Sequence, residues 1–503
     1  MAELNRSLKF WGALALGLGA MAPTLALSLN GSVPAAEIGR AVPLAFLFGG
    51  IGMVFIAYGF AVLTRKYNHA GSAYALVGAT LGPQAGFFSG FALMGWYIFS
   101  SICCVPACAL FAEAFLNSIG VHHVPWLLLG IIAAAGVAWL ITRDMRVAAK
   151  ALLSLEGIGV FAITILTIVI FAKIGAGSAP VHQSFTLNVF TLPAHTSLSA
   201  IGAATVFACL SWAGFEAIAT LGEETKNPRR NIPRALFGAI FLTLPLFVIV
   251  MFASTLGFGT NHAGIAAFAG SATPLGSLAK SFIGSWASSA ILFVGMASAF
   301  AALLGDCAAA SRMIFAFSRD GFGPRVLSKL DDKGVPAVAA ISVLVLSVGV
   351  TTIMAINGTS AISAYFYYAT IGVLCLLVAY GMVGISACFH IFRTRAWAVL
   401  VATPAALGTI FAGYIFYTEA TGQSSPYNLF PYYAGAWCLI GLLIVLLRPQ
   451  LAAQVGRQLA AELQPQAEST DLPIQMDQEV DDRSVQSERR PREVSDSVDG
   501  KDD

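Results

Sequence analysis

Apolar runs of about 20 residues recur along this chain, and no other feature limits its fold so strongly. They fall near residues 10–30, 42–63, 84–116, 124–142, 151–173, 198–221, 235–258, 284–317, 336–356, 361–390, 396–417 and 429–448. A helix of roughly 20 apolar residues crosses the hydrocarbon of a bilayer. Backbone groups facing lipid must pair within their own segment, which leaves helix or closed barrel. Short alternating strands are absent, so the barrel is excluded. The expected fold is therefore an all-α integral membrane protein with twelve transmembrane helices. Composition agrees, because 57% of the 503 residues are hydrophobic and only 11% are charged, against about a quarter charged in soluble domains. The first run continues past the length of a signal-peptide core without a cleavage site and reads as a span.

Lysine and arginine orient the spans. With the N-terminus inside, cytoplasmic segments up to Arg395 hold eighteen of them, among them Arg65, Lys66, Arg143, Arg229, Arg230 and Arg234, whereas the outer segments hold Arg40, Lys173 and Lys280. Both termini are then cytoplasmic, and the expected membrane is the plasma membrane. Thirteen of the 26 acids follow residue 449, in a stretch poor in apolar residues that reads as a disordered cytosolic tail. The expected layout is residues 1–9 as a cytoplasmic N-terminus, 10–390 as the core of ten helices, 391–449 as helices 11 and 12, and 450–503 as the tail.

Several function classes lose support. The one Gly-Lys pair, Gly500-Lys501, is followed by Asp502 and makes no P-loop. No H-E-x-x-H or G-x-S-x-G occurs, no dinucleotide fingerprint is completed, and no filter repeat is visible. All eight cysteines lie in apolar runs and read as buried thiols, and Cys103, Cys104 and Cys108 lack a histidine to complete a metal site. A net charge of +2 gives no support to nucleic-acid binding. No enzyme activity, cofactor or metal is expected.

Two runs are interrupted five spans apart. The first contains Gly17-Leu18-Gly19-Ala20-Met21-Ala22-Pro23, and the sixth contains Ser211-Trp212-Ala213-Gly214-Phe215-Glu216. Glycine loosens the backbone, and proline removes a donor and excludes the preceding helical turn. Interrupted helices in corresponding halves of a transporter hold substrate at their freed ends. The glycine ladder Gly78, Gly82, Gly86 and Gly90 reads instead as close helix packing.

The stretch FACLSWAGFE (207–216), followed by LGEETKNPRRNIPRAL (221–236), resembles the sixth-helix signature of the amino acid–polyamine–organocation permeases, and ASRMIFAFSRDGFGP (310–324) is similar to the segment after helix eight. The resemblance covers roughly residues 8–450. It implies a five-plus-five inverted repeat with discontinuous helices 1 and 6, two peripheral helices, and uptake or exchange of amino acids or related amines without ATP. Where many relatives have a Gly-Ser-Gly-like break in helix one, this chain has Met21-Ala22-Pro23. The serine hydroxyl is lost, so a substrate carboxylate would depend on backbone N–H groups alone.

The expected substrate site is thus Gly17, Gly19, Ala20, Met21, Ala22, Ser211, Trp212, Ala213, Gly214 and Phe215, with Trp212 and Phe215 either covering the substrate or packing. Trp96 and Ser100 are candidate cavity residues. Ionisable groups inside spans are functional candidates by default, which singles out Glu113, Glu156, Glu216 and Asp306. Glu216 and Glu156 are the expected proton-coupling residues. For Glu216 two other roles stay open, pairing with a substrate ammonium group or bonding to backbone freed in the break. Glu156 lies near the face where some relatives carry a buried lysine, with the charge reversed. Asp306 reads as a structural partner of Arg312. Glu223, Glu224, Lys226, Arg229, Arg230, Arg319 and Asp320 read as a cytoplasmic ion-pair gate. The functional expectation is a secondary permease for an amino acid or small amine, coupled to protons. Its rivals are an exchanger or polyamine carrier and a non-transporting nutrient sensor. Oligomeric state is not legible.

Overall fold

The computed structural model describes residues 8–67, 73–141, 145–180, 182–194, 196–222, 224–319, 321–331, 335–394 and 397–461. The first apolar run is two helices, α1 (Phe10–Met21) and α2 (Pro23–Leu29), followed by the short α3 (Ser32–Ile38) and α4 (Val42–Thr64). Next come α5 (Ala73–Leu81), the 36-residue α6 (Pro83–Ser118), α7 (Trp126–Ile141) and α8 (Met145–Gly175). The sixth run is α9 (Leu198–Trp212) continued by a 3-10 segment, Phe215–Gly222. After it stand α10 (Pro228–Phe258), two short helices α11 (His262–Ala269) and α12 (Pro274–Phe282), and α13 (Ser285–Arg319). The chain closes with α14 (Ala337–Ile356), α15 (Ala361–Thr394), α16 (Ala398–Gly422), α17 (Phe430–Leu447) and α18 (Pro449–Ala461).

Among the described residues ten helical stretches are long and apolar enough to cross a membrane, or eleven when the pair bent by 40° between Trp212 and Phe215 counts as one span. The fourth apolar run is helical only as the 16-residue α7, which begins one residue after Pro125. An integral membrane protein follows from this, since so many apolar helices have no other solvent.

Burial sorts the helices into a centre and a rim. The most apolar windows of α6 and α15 are each 72% buried, whereas those of α16 and α17 are 28% buried. On the rim, Trp139 of α7, Phe161 and Ile168 of α8, Val345 and Ile353 of α14, and Leu400 and Ile410 of α16 are exposed, as lipid-facing side chains must be. Small residues bring the central helices together. A Cβ on Gly86 would lie 2.8 Å from the Cα of Gly78, so Gly78 and Gly86 are a packing contact between α5 and α6, whereas Gly82, at φ 97°, makes the turn between them.

One expectation is corrected here. Residues 450–461, read as the start of a disordered tail, belong to α18. Ala452 and Val455 are fully buried, and a Cβ on Gly456 would strike the backbone of Pro83. Apolar residues at helical spacing dock this polar stretch against the start of α6, and composition averaged over the tail hides that stripe. Residues 462–503 lie outside the described residues.

Candidate functional site

The first break turns on one residue. Ala22 has φ 45° and ψ 58°, the left-handed region, between the end of α1 and the start of α2. Pro23 ends α1 here, because a residue before proline is kept out of the right-handed helical region and proline carries no N–H; the left-handed turn that Ala22 takes instead is one that alanine rarely adopts. Every backbone donor through the break is accounted for. Ala22 N–H donates to Gly19 O at 3.3 Å and Ala26 N–H to Ala22 O at 3.1 Å. Thr24 N–H donates to Glu156 Oε1 at 2.6 Å, and Leu25 N–H to Ser298 Oγ at 3.1 Å. Glu156 of α8 therefore seats its carboxylate on the N-terminal turn of α2, where the helix dipole favours an anion. Its Oε2 has no partner.

The second break is opened by glycine. Ala213 is extended at ψ 137°, and Gly214 has φ 99°, a conformation that L side chains avoid. The two breaks touch, since a Cβ on Gly214 would lie 2.5 Å from Ala20 O. Glu216 folds back on its own break: Oε2 accepts Gly214 N–H at 2.9 Å and the Tyr380 hydroxyl at 2.6 Å, while Oε1 has no partner. Asn30, just past α2, donates from Nδ2 to Ser211 Oγ at 2.9 Å and accepts Tyr365 O–H at 3.0 Å, tying α9 and α15 to the first break.

A small cavity of about 40 Å³ lies between these elements. The broken helices contribute Ala20, Met21, Ala22, Leu25, Ala26, Leu210 and Ala213. Trp96, Ser100, Cys103 and Cys104 enter from α6, Ala302 and Asp306 from α13, and Asn30 and Tyr365 complete the wall. Asp306 Oδ2 accepts Ser100 O–H at 2.5 Å and Cys104 S–H at 3.7 Å. It faces the cavity rather than pairing with Arg312 as its sequence spacing predicts, because the two residues sit on different faces of α13. The indole N–H of Trp96, a residue only 5% exposed, has no partner.

The other predicted residues are placed as follows. Gly17 packs against Ile218 of the 3-10 segment, where a Cβ would clash, and Gly19 lies against Leu153. Neither lines the cavity. Trp212 is buried away from it, with Nε1 donating to Thr243 Oγ1 at 2.8 Å and its ring between Phe46 and Phe247. Phe215 is buried against Phe60 and Tyr380. Trp212 and Phe215 are thus packing aromatics here, and Glu113 does not reach the cavity. Sequence reasoning missed Asn30, Ser298, Tyr365 and Tyr380, common residue types with no motif around them. Only their position opposite the breaks marks them.

Of the gate loop, Leu8 N–H donates to Glu224 O at 3.0 Å and Lys226 N–H to Leu8 O at 2.7 Å, which pairs the loop with the chain entering α1. Arg319 lies over the ring of Phe315 at 5.6 Å. Arg229 and Arg230 stand with Arg65 and Arg234 around a larger, basic cavity on the flank of α10. Glu223 and Asp320 lie outside the described residues.

A bundle of membrane helices in which two are interrupted, and in which the interruptions line a small cavity that also holds Asn30, Ser100 and Asp306, defines a membrane transport protein of the permease class. The Amino acid permease family model matches residues 12–463. The chain belongs to that family. It is similar to the branched-chain amino acid permease BcaP of Lactococcus lactis, 27% identical over 350 residues, covering 67% of this chain and 74% of the relative. It is similar also to the low-affinity putrescine importer PlaP of Escherichia coli K12, 28% identical over 347 residues with 64% and 69% covered. A third relative, the methylthioribose transporter of Bacillus subtilis, is 25% identical over 341 residues with 65% and 70% covered.

Proposed function

We propose that this permease is a secondary active transporter that carries a small amino acid or amine by alternating access, in symport with protons. The observation that carries the reading is the cavity held between Ala20–Ala22 and Ala213, where both interrupted helices meet. The proposed layout is a five-plus-five inverted repeat over residues 10–390, with α16 and α17 peripheral. The excess of Lys and Arg in the segments on the N-terminal side supports both termini being cytoplasmic, and the plasma membrane is the proposed location.

Glu156 and Glu216 are the proposed proton sites, and their surroundings divide the work. Glu216 bonds within its own break and to Tyr380. Glu156 joins α8 to α2, so a proton on it weakens the hold on Thr24 N–H and releases α2 from α8. Such a tie, broken and remade as the proton enters and leaves, couples the gradient to movement of the first broken helix. The loop from Glu223 to Arg230, with Arg319 and Asp320, is the proposed inner gate.

Uptake into proteoliposomes of a labelled panel of amino acids and amines, with and without an inward proton gradient, tests this. Uptake that rises with the gradient and collapses with an uncoupler is expected. Glu156→Gln is expected to abolish the gradient dependence while counterflow continues. Uptake only into preloaded vesicles points to exchange, and binding with no flux sinks the carrier reading in favour of a sensor.

A further inference from the structure

A substrate carboxylate needs donors, and those at the first break are spent. Between residues 22 and 26 the N–H groups of Ala22 and Ala26 go to backbone carbonyls, Thr24 goes to Glu156, Leu25 goes to Ser298, and Pro23 has none. At the second break Ala213 N–H donates to Leu210 O at 3.2 Å, Gly214 N–H to Glu216, and Ala217 N–H to Gly214 O at 3.1 Å, while Phe215, whose N–H stands between them, is fully buried and does not line the cavity. The chain's own carboxylates therefore stand on both breaks, at the places where a bound anion would gain most from freed donors. A second carboxylate at either would find its donors already taken.

The cavity wall has the opposite preference. Among the described residues Asp306 is the only one of charged type lining it, and no lysine, arginine or histidine does. Ser100 O–H and Cys104 S–H hold the Asp306 carboxylate but supply no counter-charge. The C-terminal ends of α1 and α9, the negative ends of two helix dipoles, both come to this cavity at Met21 and Ala213. Trp96 adds an aromatic surface suited to a cation.

We infer that the cavity binds the ammonium group of a small amine that lacks a carboxylate, with Asp306 as its counter-ion, and that Glu156 and Glu216 exclude the matching α-amino acid by occupying its carboxylate sites. The inference deepens the permease reading and rests on it for the use of this cavity.

Matched pairs that differ by the carboxylate alone test it: 3-methylbutylamine against leucine, phenethylamine against phenylalanine, and putrescine against ornithine. Equilibrium binding to the full-length protein in detergent is measured beside uptake into proteoliposomes, so that failure of the site and failure of transport are separated. At least one amine is expected to bind tenfold or more tighter than its amino acid. Asp306→Asn is expected to weaken that amine by about 30-fold, the loss of one partner of a buried charge pair, and Asp306→Glu to restore part of it. If Asp306→Asn does not fold, the wild-type pairs still decide. An amino acid that binds as tightly as its amine overturns the inference and leaves the permease standing. An amine that binds but is not moved keeps the inference and removes the permease. Binding of no member of the three pairs overturns the inference.

Discussion

The two broken helices of this permease solve one problem in different ways. At the second break the backbone and its cap are local: Gly214 opens the chain, and Glu216, two residues on, takes the freed N–H. At the first the kink is a single left-handed alanine before a proline, and the cap comes from Glu156, 132 residues away on another helix. Local capping makes a break that persists wherever its helix goes. Capping from a distance makes a break whose geometry depends on how α8 sits, whereas the second is held mainly within its own segment, with Tyr380 of α15 as its one distant partner. Under the proposed mechanism the first helix is the moving part and the sixth the hinge.

Substitutions can break or sharpen that contrast. The largest effect is expected at the hinge, where Gly214→Val places a side chain 2.5 Å from Ala20 O in a backbone region closed to β-branched residues. Strain and clash together exceed roughly 3 kcal/mol, and folded protein recovered by size-exclusion chromatography should be largely lost. Glu156→Ala leaves Thr24 N–H buried without a partner, a cost of about 1–3 kcal/mol. It should lower the melting temperature and stop uptake together, whereas a purely structural cap would lower the melting temperature alone. Tyr380→Phe removes one hydrogen bond to Glu216, worth about 1 kcal/mol. Because Gly214 N–H still holds the carboxylate, uptake should persist with a modest loss of stability.

The smallest effect separates the breaks most finely. Ala22→Gly relieves a left-handed alanine, a gain of roughly 1 kcal/mol set against the greater freedom of glycine in the unfolded chain. The melting temperature should change by a few degrees at most. If α2 pivots at Ala22, the initial rate of uptake should rise; a rate unchanged by glycine there would move the pivot elsewhere.

The sequence by itself determined the membrane class, most of the apolar helices, the two breaks, and Glu156 and Glu216 as buried acids, though not the equally buried Glu419. All of these follow from short-range physics: hydropathy summed over one helix length, the backbone limits of glycine and proline, and the cost of charge in lipid. It determined the family as well, through the motif after the sixth break. Only tertiary structure decided which way side chains point and whom they meet. Trp212 and Phe215 stand beside the break in sequence yet turn away from the cavity into packing with α4, α10 and α15. Asp306, spaced along α13 to meet Arg312, meets Ser100 of α6 instead. Glu156 caps a turn that no local rule connects to it. A helix presents residues to every side, and which side faces a neighbour is fixed by the packing of the whole bundle, so partners far apart in sequence become legible only once the helices are assembled.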